Sequence, residues 1–354
     1  MTHTLTIEPN GETVEMAEGQ TILDACLRSG IWLPHACGHG LCGSCKVDVV
    51  EGDIDHGSAS SFALMDFERS EGKTLACTAM CLSDVTIEAD VDEEPDARRI
   101  PVRDFTGTVV GLTDLTHDVK GLTLHLSGDG MDFQAGQYVN LTLPGIEGAR
   151  AFSVANAPQQ PTMVELQVRR VPGGLATGYI HETLKPGDEV TLSGPYGRFF
   201  VRKSSTAPMI FLAGGTGVSS PRSMILDLLS EGRTEPMVLI HGVRAARDLY
   251  DQELFSSLAA DNPNFTYVPV LSDQQPEDHW TGETGFVHEA LQRHFGGMFA
   301  GHKAYICGPP PMVEACIRTL MQGRLFERDI FTERFLTAKD GEGPGVRSPV
   351  FKRI

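Results

Sequence analysis

Cys37, Cys42 and Cys45 stand close together in HACGHGLCGSCKV (35–47), separated by Gly38, Gly40 and Gly43. Spacing alone tests three explanations. Zinc could take Cys42 and Cys45 as one C-x2-C pair with Cys77 and Cys81 further on, but Cys37 is then left without a task. A Rieske centre fits Cys37-Gly38-His39, yet its second half needs C-x2-H and the chain supplies C-x2-C. The plant-type 2Fe–2S pattern, C-x4-C-x2-C with one more cysteine much later, takes in Cys37, Cys42, Cys45 and, in TLACTAMC, Cys77. This pattern is preferred, with zinc and unliganded thiols kept as alternatives. The glycines suit it, because four thiolates make the site anionic and a loop free of side chains can turn backbone N–H groups onto the sulfurs. Cys26, Cys81 and Cys316 read as small buried hydrophobes, and His39 as a loop residue.

The elements that must hold this loop follow from patterning. TLTIEPNGETVEMAEG alternates around Asn10-Gly11, a hairpin signal. A helix follows, with Thr21 and Asp24 spaced as a capping box, Leu23, Cys26 and Leu27 on one face, and Gly30 at the C-cap. The cysteine loop leads into CKVDVVEGDI, a strand. EADVDEEPDARRIPVRD (88–104) is acidic, proline-containing and aperiodic, as an interdomain linker would be. Short alternating runs between about 102 and 203, punctuated by Gly and Pro, predict a small antiparallel barrel. Beyond 205 the runs APMIFLAGG and PMVLIHGV are continuously apolar, as in a buried parallel sheet. SPRSMILDLLSEG between them reads as a helix with Ser220 at N-cap, Pro221 at N1 and Gly232 at its end. The expected architecture is therefore multidomain, α+β and α/β. It comprises a β-grasp ferredoxin domain over 1–93, a linker over 94–102, a six-stranded antiparallel barrel over 103–204, an α/β domain with a parallel sheet over 205–340, and a tail over 341–354.

Arg150-Ala151-Phe152-Ser153 resembles the R-x-Y/F-S motif of the ferredoxin-reductase flavoprotein family. Its companions follow in order: GGLATGYI (173–180), SGPYGRFF (193–200), LAGGTGVSS (212–220), ICGPPPM (306–312) and FTERF (331–335). The resemblance implies FAD, with Arg150 clamping its pyrophosphate, Ala151 and Phe152 against it, and Ser153 at the hydride-accepting nitrogen. It also implies Gly173, Gly174 and Thr177 as a second phosphate loop, and Gly214, Gly215, Thr216 and Gly217 at the pyrophosphate of NADH or NADPH. Cys307 and Gly308 would lie beside the nicotinamide, and Glu333 and Phe335 would line the hydride-transfer site. The stretch at 214 is not G-x-G-x-x-G, and no Asp or Glu ends PMVLIHGV to hold a ribose. Arg244 and Arg247 follow instead, leaving both nicotinamide cofactors open. With SFALMDFER, FQAGQYVNL, QGRLFERDIFTERF and the terminal FKRI, the whole chain is similar to the reductase components of multicomponent phenol hydroxylases. More distantly it is similar to reductases of other bacterial diiron monooxygenases. The implied activity is NAD(P)H oxidation, with electrons leaving through FAD and the cluster to a separate oxygenase. A Rieske dioxygenase as partner, or a stand-alone flavin-dependent reductase, is the alternative.

Composition bounds the rest. At 354 residues and 41% hydrophobic content the chain exceeds one core, and it has no apolar run of membrane-spanning length. No basic and apolar leader opens it, so a cytoplasmic location is expected. A net charge of −18 argues against nucleic acid. Residues 1–95 carry 18 Asp/Glu against 4 Lys/Arg, a local net of −14. Such an acidic first domain suits docking to a basic patch on the oxygenase, or is simply a solvated surface.

Overall fold

The computed structural model describes residues 2–91 and 94–335, which divide into two compact units at Arg103/Asp104. The expected tail, 341–354, and the last residues of the expected third domain lie outside the described residues.

The first unit contains β1 (His3–Glu8), β2 (Glu12–Met16), α1 (Ile22–Arg28), β3 (Lys46–Glu51), β4 (Ile54–Asp55), α2 (Asp66–Ser70), β5 (Lys73–Leu75), β6 (Met80–Cys81) and β7 (Val85–Glu88). Its five-stranded sheet runs β2-β1-β7-β3-β5, with β1 and β7 parallel and the other pairs antiparallel. Leu5 and Ile7 of β1, Val85 and Ile87 of β7 and Ile22 and Cys26 of α1 are buried together with the alternation the sequence shows. Only half of the expected capping box forms. The Asp24 N–H donates to Thr21 Oγ1 at 3.3 Å, but the Asp24 carboxylate turns away to Gln20 and Arg28. Residues 94–101 form no regular element, yet they are fastened to this unit by an Arg99–Glu12 ion pair of 2.7 Å and by the Val102 N–H donating to Leu27 O.

The second unit begins with an antiparallel sheet of β8 (Arg103–Asp114), β9 (Val119–Leu126), β10 (Tyr138–Thr142), β11 (Arg150–Ser153), β12 (Met163–Arg169) and β13 (Glu189–Tyr196), with α3 (Leu175–Glu182) after β12. The order β11-β10-β13-β8-β9-β12 curls into a nearly closed barrel, since Val154 bridges Leu166 beyond the β11 edge. Leu122, Leu124, Leu126, Phe133, Val139, Val164 and Leu166 fill it.

A parallel sheet follows, built from β14 (Met209–Gly214), α4 (Ser219–Ser230), β15 (Met237–Val243), α5 (Gln252–Asp261), β16 (Phe265–Leu271), β17 (Glu283–Thr284), α6 (Val287–Phe295), β18 (Lys303–Gly308), α7 (Pro310–Gln322) and β19 (Ile330–Arg334). Its order is β17-β16-β15-β14-β18-β19. The chain steps outward from β14 to one edge and then returns to β14's other side with β18, so the crevice between the C-terminal ends of β14 and β18 is the topological switch point. Among the described residues no helix is long and apolar enough to cross a membrane.

Candidate functional site

The cysteine loop is positioned from three directions. Buried Ile31 and Leu33 anchor its start behind α1. The Leu23 N–H donates to Ala76 O and the Ala76 N–H to Cys45 O, so the helix and the loop's end both grip the segment that presents Cys77. The Ser60 N–H donates to Gly40 O and holds the loop's middle.

Backbone donors then point inward. The Gly40 N–H reaches Cys77 Sγ at 3.2 Å and the His39 N–H reaches Cys37 Sγ at 3.4 Å. Gly40 sits at φ +75°, and a Cβ there would lie 2.9 Å from the Thr78 methyl and 3.2 Å from Ala59 Cα, so a side chain would spread the loop. His39 turns its ring back onto Cys37 O and stays a loop residue.

The four sulfurs form two contacting pairs, Cys37 with Cys42 and Cys45 with Cys77. Within each pair one thiol donates to the other. Cys42 is drawn down to about 4, first by Cys37 and, among the weaker contributions, by Ser44, while Cys77 is drawn down to about 7, first by Cys45. Two pairs would suit a cluster of two irons that each take two thiolates. A single tetrahedral zinc would instead gather all four sulfurs around one point, about 2.3 Å from each. Cys81, which the zinc alternative required, turns to Met16 Sδ at 3.2 Å. Burial pushes the Cys26 thiol up to about 12, and Cys26 and Cys316 are fully buried, as small hydrophobes would be.

A second cluster forms in the other unit. Cys307 and Glu333 face each other across the parallel pair β18/β19, Ser153 ends barrel strand β11, and Ser220 lies in the first turn of α4. All converge on one atom. Glu333 Oε2 accepts from Ser220 Oγ at 2.9 Å, from Ser153 Oγ at 3.2 Å, and lies 3.7 Å from Cys307 Sγ. Burial pushes the Glu333 carboxyl up to about 7, and the three contacts only partly oppose that rise. Burial and the nearby Glu333 raise the Cys307 thiol well above its ordinary range, so it stays protonated. The Phe335 N–H donates to Gly308 O and ties the segment after β19 to the same place.

Ser220 departs from the N-cap expected of it. A 3-10 turn over Gly215–Val218 runs directly into α4, whose first residue is Ser219, so the Ser220 hydroxyl is released toward Glu333. The sequence gives no pointer to Ser220 as a site residue, nor to Tyr138. Tyr138 is the register partner of Ser153 and stacks on Tyr196 at 5.5 Å.

The two glycine loops interlock at the switch point. A Cβ on Gly217 would sit 2.3 Å from Cys307 O, and one on Gly214 would meet Met312 Sδ at 2.6 Å. No side chain caps the N-terminal turn that begins after Gly214, and none caps α3 after Gly174. Thr177 Oγ1 instead accepts from the Val171 N–H at 3.1 Å and shapes the turn through Gly173. Both termini thus keep N–H donors for an anion, as the two expected phosphate positions require. Arg150 and Ala151 are exposed and Phe152 is half-buried along the barrel edge; the Arg150 guanidinium donates to Glu147 O and Ala149 O. Arg244 is exposed just past β15. The donor sets fit the groups they would hold: sulfurs for iron, N–H groups and Arg150 for phosphates.

Three family models match the chain. Residues 5–82 match the 2Fe-2S iron-sulfur cluster binding domain, 106–201 the oxidoreductase FAD-binding domain and 211–318 the oxidoreductase NAD-binding domain. The chain is 59% identical, over 100% of both sequences, to the reductase component of phenol 2-monooxygenase from Pseudomonas sp. (strain CF600). It is 55% identical, again over 100% of both, to the phenol hydroxylase P5 protein of Acinetobacter pittii (strain PHEA-2). Among solved structures it resembles the Amycolatopsis cytochrome P450 reductase GcoB, with a TM-score of 0.85 and 36% identity, covering 94% of this chain and 99% of that one.

Proposed function

The chain belongs to the ferredoxin-reductase flavoproteins, among the reductase components of phenol monooxygenases, and from that membership we propose how its residues divide the work. It is an oxidoreductase that passes electrons from NAD(P)H through FAD and a 2Fe–2S cluster to a separate oxygenase component. When bound, FAD supplies the conversion of a two-electron hydride donor into the single electrons that an iron–sulfur cluster accepts.

The observation that carries the residue assignment is the convergence of Ser153, Ser220 and Cys307 on Glu333 Oε2. With that oxygen held by donors, Glu333 carries its exchangeable proton on Oε1 and gains or loses it near neutrality. Ser153 presents its hydroxyl from the barrel side and Cys307 its thiol from the sheet side, so isoalloxazine and nicotinamide would meet against this group. Gly173, Gly174 and Arg150 hold the FAD phosphates, and the N–H groups of Thr216 and Gly217 hold those of the nicotinamide cofactor. Arg150→Ala is expected to weaken FAD retention by about tenfold or more, the worth of a charged hydrogen-bonding group. Flavin content after dialysis measures this, and an unchanged content would remove Arg150 from the pyrophosphate.

The oxygenase docks on the first unit. Support comes from its concentrated acidity and from Leu41 and Phe62, 51% and 91% exposed, on the cysteine loop and on the segment that its Gly40 contacts. A basic partner surface with an apolar centre would complement both. An anaerobic NADH titration with iron, sulfide and flavin assays tests the carrier content. Two irons and two sulfides per flavin, all reducible by NADH, are expected; colourless protein containing zinc would overturn it.

A further inference from the structure

His241 lies in the middle of β15, opposite Ala213 of β14, and is fully buried. Its Nε2 is 3.2 Å from Gly215 O, and its Nδ1 is buried without a partner. A carbonyl only accepts, so Nε2 carries the proton and donates; that fixes the tautomer. Burial pulls the imidazole down to about 4, which keeps it neutral. The ring stands edge-on to Tyr250, whose hydroxyl reaches Gln167 of the barrel. The next carbonyl is tied as well: Thr216 O accepts from Ser219 Oγ at 2.9 Å, and the same hydroxyl approaches Gln167 Oε1 at 2.8 Å.

A trans peptide sets the C=O of one residue antiparallel to the N–H of the next. Fixing Gly215 C=O toward His241 therefore aims the Thr216 N–H the opposite way, and fixing Thr216 C=O does the same for the Gly217 N–H. We propose that His241 is a positioning residue for dinucleotide binding: from behind the loop it orients the Gly215–Thr216 peptide so that its N–H faces the pyrophosphate of the nicotinamide cofactor. This rests on the reading of the 214–217 loop as the pyrophosphate site, and it adds a residue that touches neither substrate nor flavin. The Ser219 backbone N–H also donates to Thr216 O, so the adjacent peptide is held whichever of Thr216 O and Gln167 Oε1 takes the one Ser219 hydroxyl proton.

His241→Leu keeps an apolar side chain in the pocket and removes the donor, whereas His241→Gln restores an N–H near the Nε2 position. With flavin-loaded protein, calorimetric titration of NAD+ is expected to give about fivefold weaker binding for His241→Leu, the worth of one neutral hydrogen bond, and recovery to within about twofold for His241→Gln. The KM for NADH should move in parallel, while the flavin reduction rate at saturating NADH stays within about twofold. Equal weakening in both variants, or a loss confined to the saturated rate, would overturn the positioning role and leave only packing. Thr216→Pro removes the N–H itself, with flavin content and circular dichroism reporting its fold. If it weakens NAD+ binding while His241→Leu does not, the positioning inference fails alone; if folded Thr216→Pro binds NAD+ like the parent, the loop is not the pyrophosphate site.

Discussion

Cys42→Ala is expected to cut electron delivery to a protein acceptor by about 100-fold or more, while NADH oxidation by a small acceptor served from the flavin stays within about twofold of the parent. Loss of an outer hydrogen-bonding partner of a metal ligand already costs about 10- to 100-fold in affinity or activity, and loss of the ligand exceeds that. Cys42 pairs with Cys37, so its removal would take away one of the four thiolates expected to hold the cluster. The residues expected to hold flavin and nicotinamide lie in the other compact unit, Asp104–Phe335, with their own core, and have no structural reason to fail with it. Cytochrome c or the oxygenase component as protein acceptor, set against ferricyanide, makes the comparison. Equal loss of both activities would remove the cluster from its place after the flavin.

The second large effect is expected at Glu333. Hydride departure turns the neutral dihydronicotinamide ring into a cation, and a carboxylate against it stabilises the charge as it develops. Flavin reduction in the parent should therefore speed up as pH rises through about 7, where Glu333 loses its proton. Glu333→Gln keeps the shape and an oxygen for Ser153 and Ser220 but never acquires the charge. Its reduction rate at pH 8 should fall by about 100-fold, the cost of removing one preorganised electrostatic group, and the inflection near 7 should vanish. Stopped-flow flavin bleaching under anaerobic conditions across pH 5.5–8.5, roughly one and a half units on each side of the inflection, reads both. A Gln variant with the parental rate and profile would retire the carboxylate from the step. Stability carries the opposite sign. The folded pKa lies above the ordinary value of 4.5, so Glu333 stabilises the fold fully below that value and loses the contribution as pH rises through about 7. The melting temperature of the Gln variant should vary less over that window.

What the sequence made legible divides by distance along the chain. Three of the four expected iron ligands, Cys37, Cys42 and Cys45, sit in one loop whose spacing is itself the signal, and the alternation of β1, β7 and the barrel strands records which faces are buried. Ser220 could not be read because its partner Glu333 lies 113 positions away. Taken locally, Ser-Ser-Pro is a sound helix start, and only the 3-10 turn running in from Gly215 displaces the cap. The half-formed capping box at Thr21 has a similar origin, since Gln20 and Arg28 compete for the Asp24 carboxylate. Gly217 is expected from the sequence to line a phosphate loop, and the contact that excludes a side chain there is with Cys307 O, on a strand far along the chain.

If the four cysteines hold the cluster, their division into pairs would make metal uptake and chain folding a single event for half of the site. Cys37 and Cys42 come from one loop and could capture an iron locally, but Cys45 and Cys77 meet only when the strand pairing around Ala76 has formed. Joined through a metal, these two residues would staple a closed segment of the chain, and such a cross-link would restrict the unfolded state as a disulfide over a similar loop does, by about 3 to 4 kcal/mol. A chain that had lost its iron would surrender that restraint together with its electron exit.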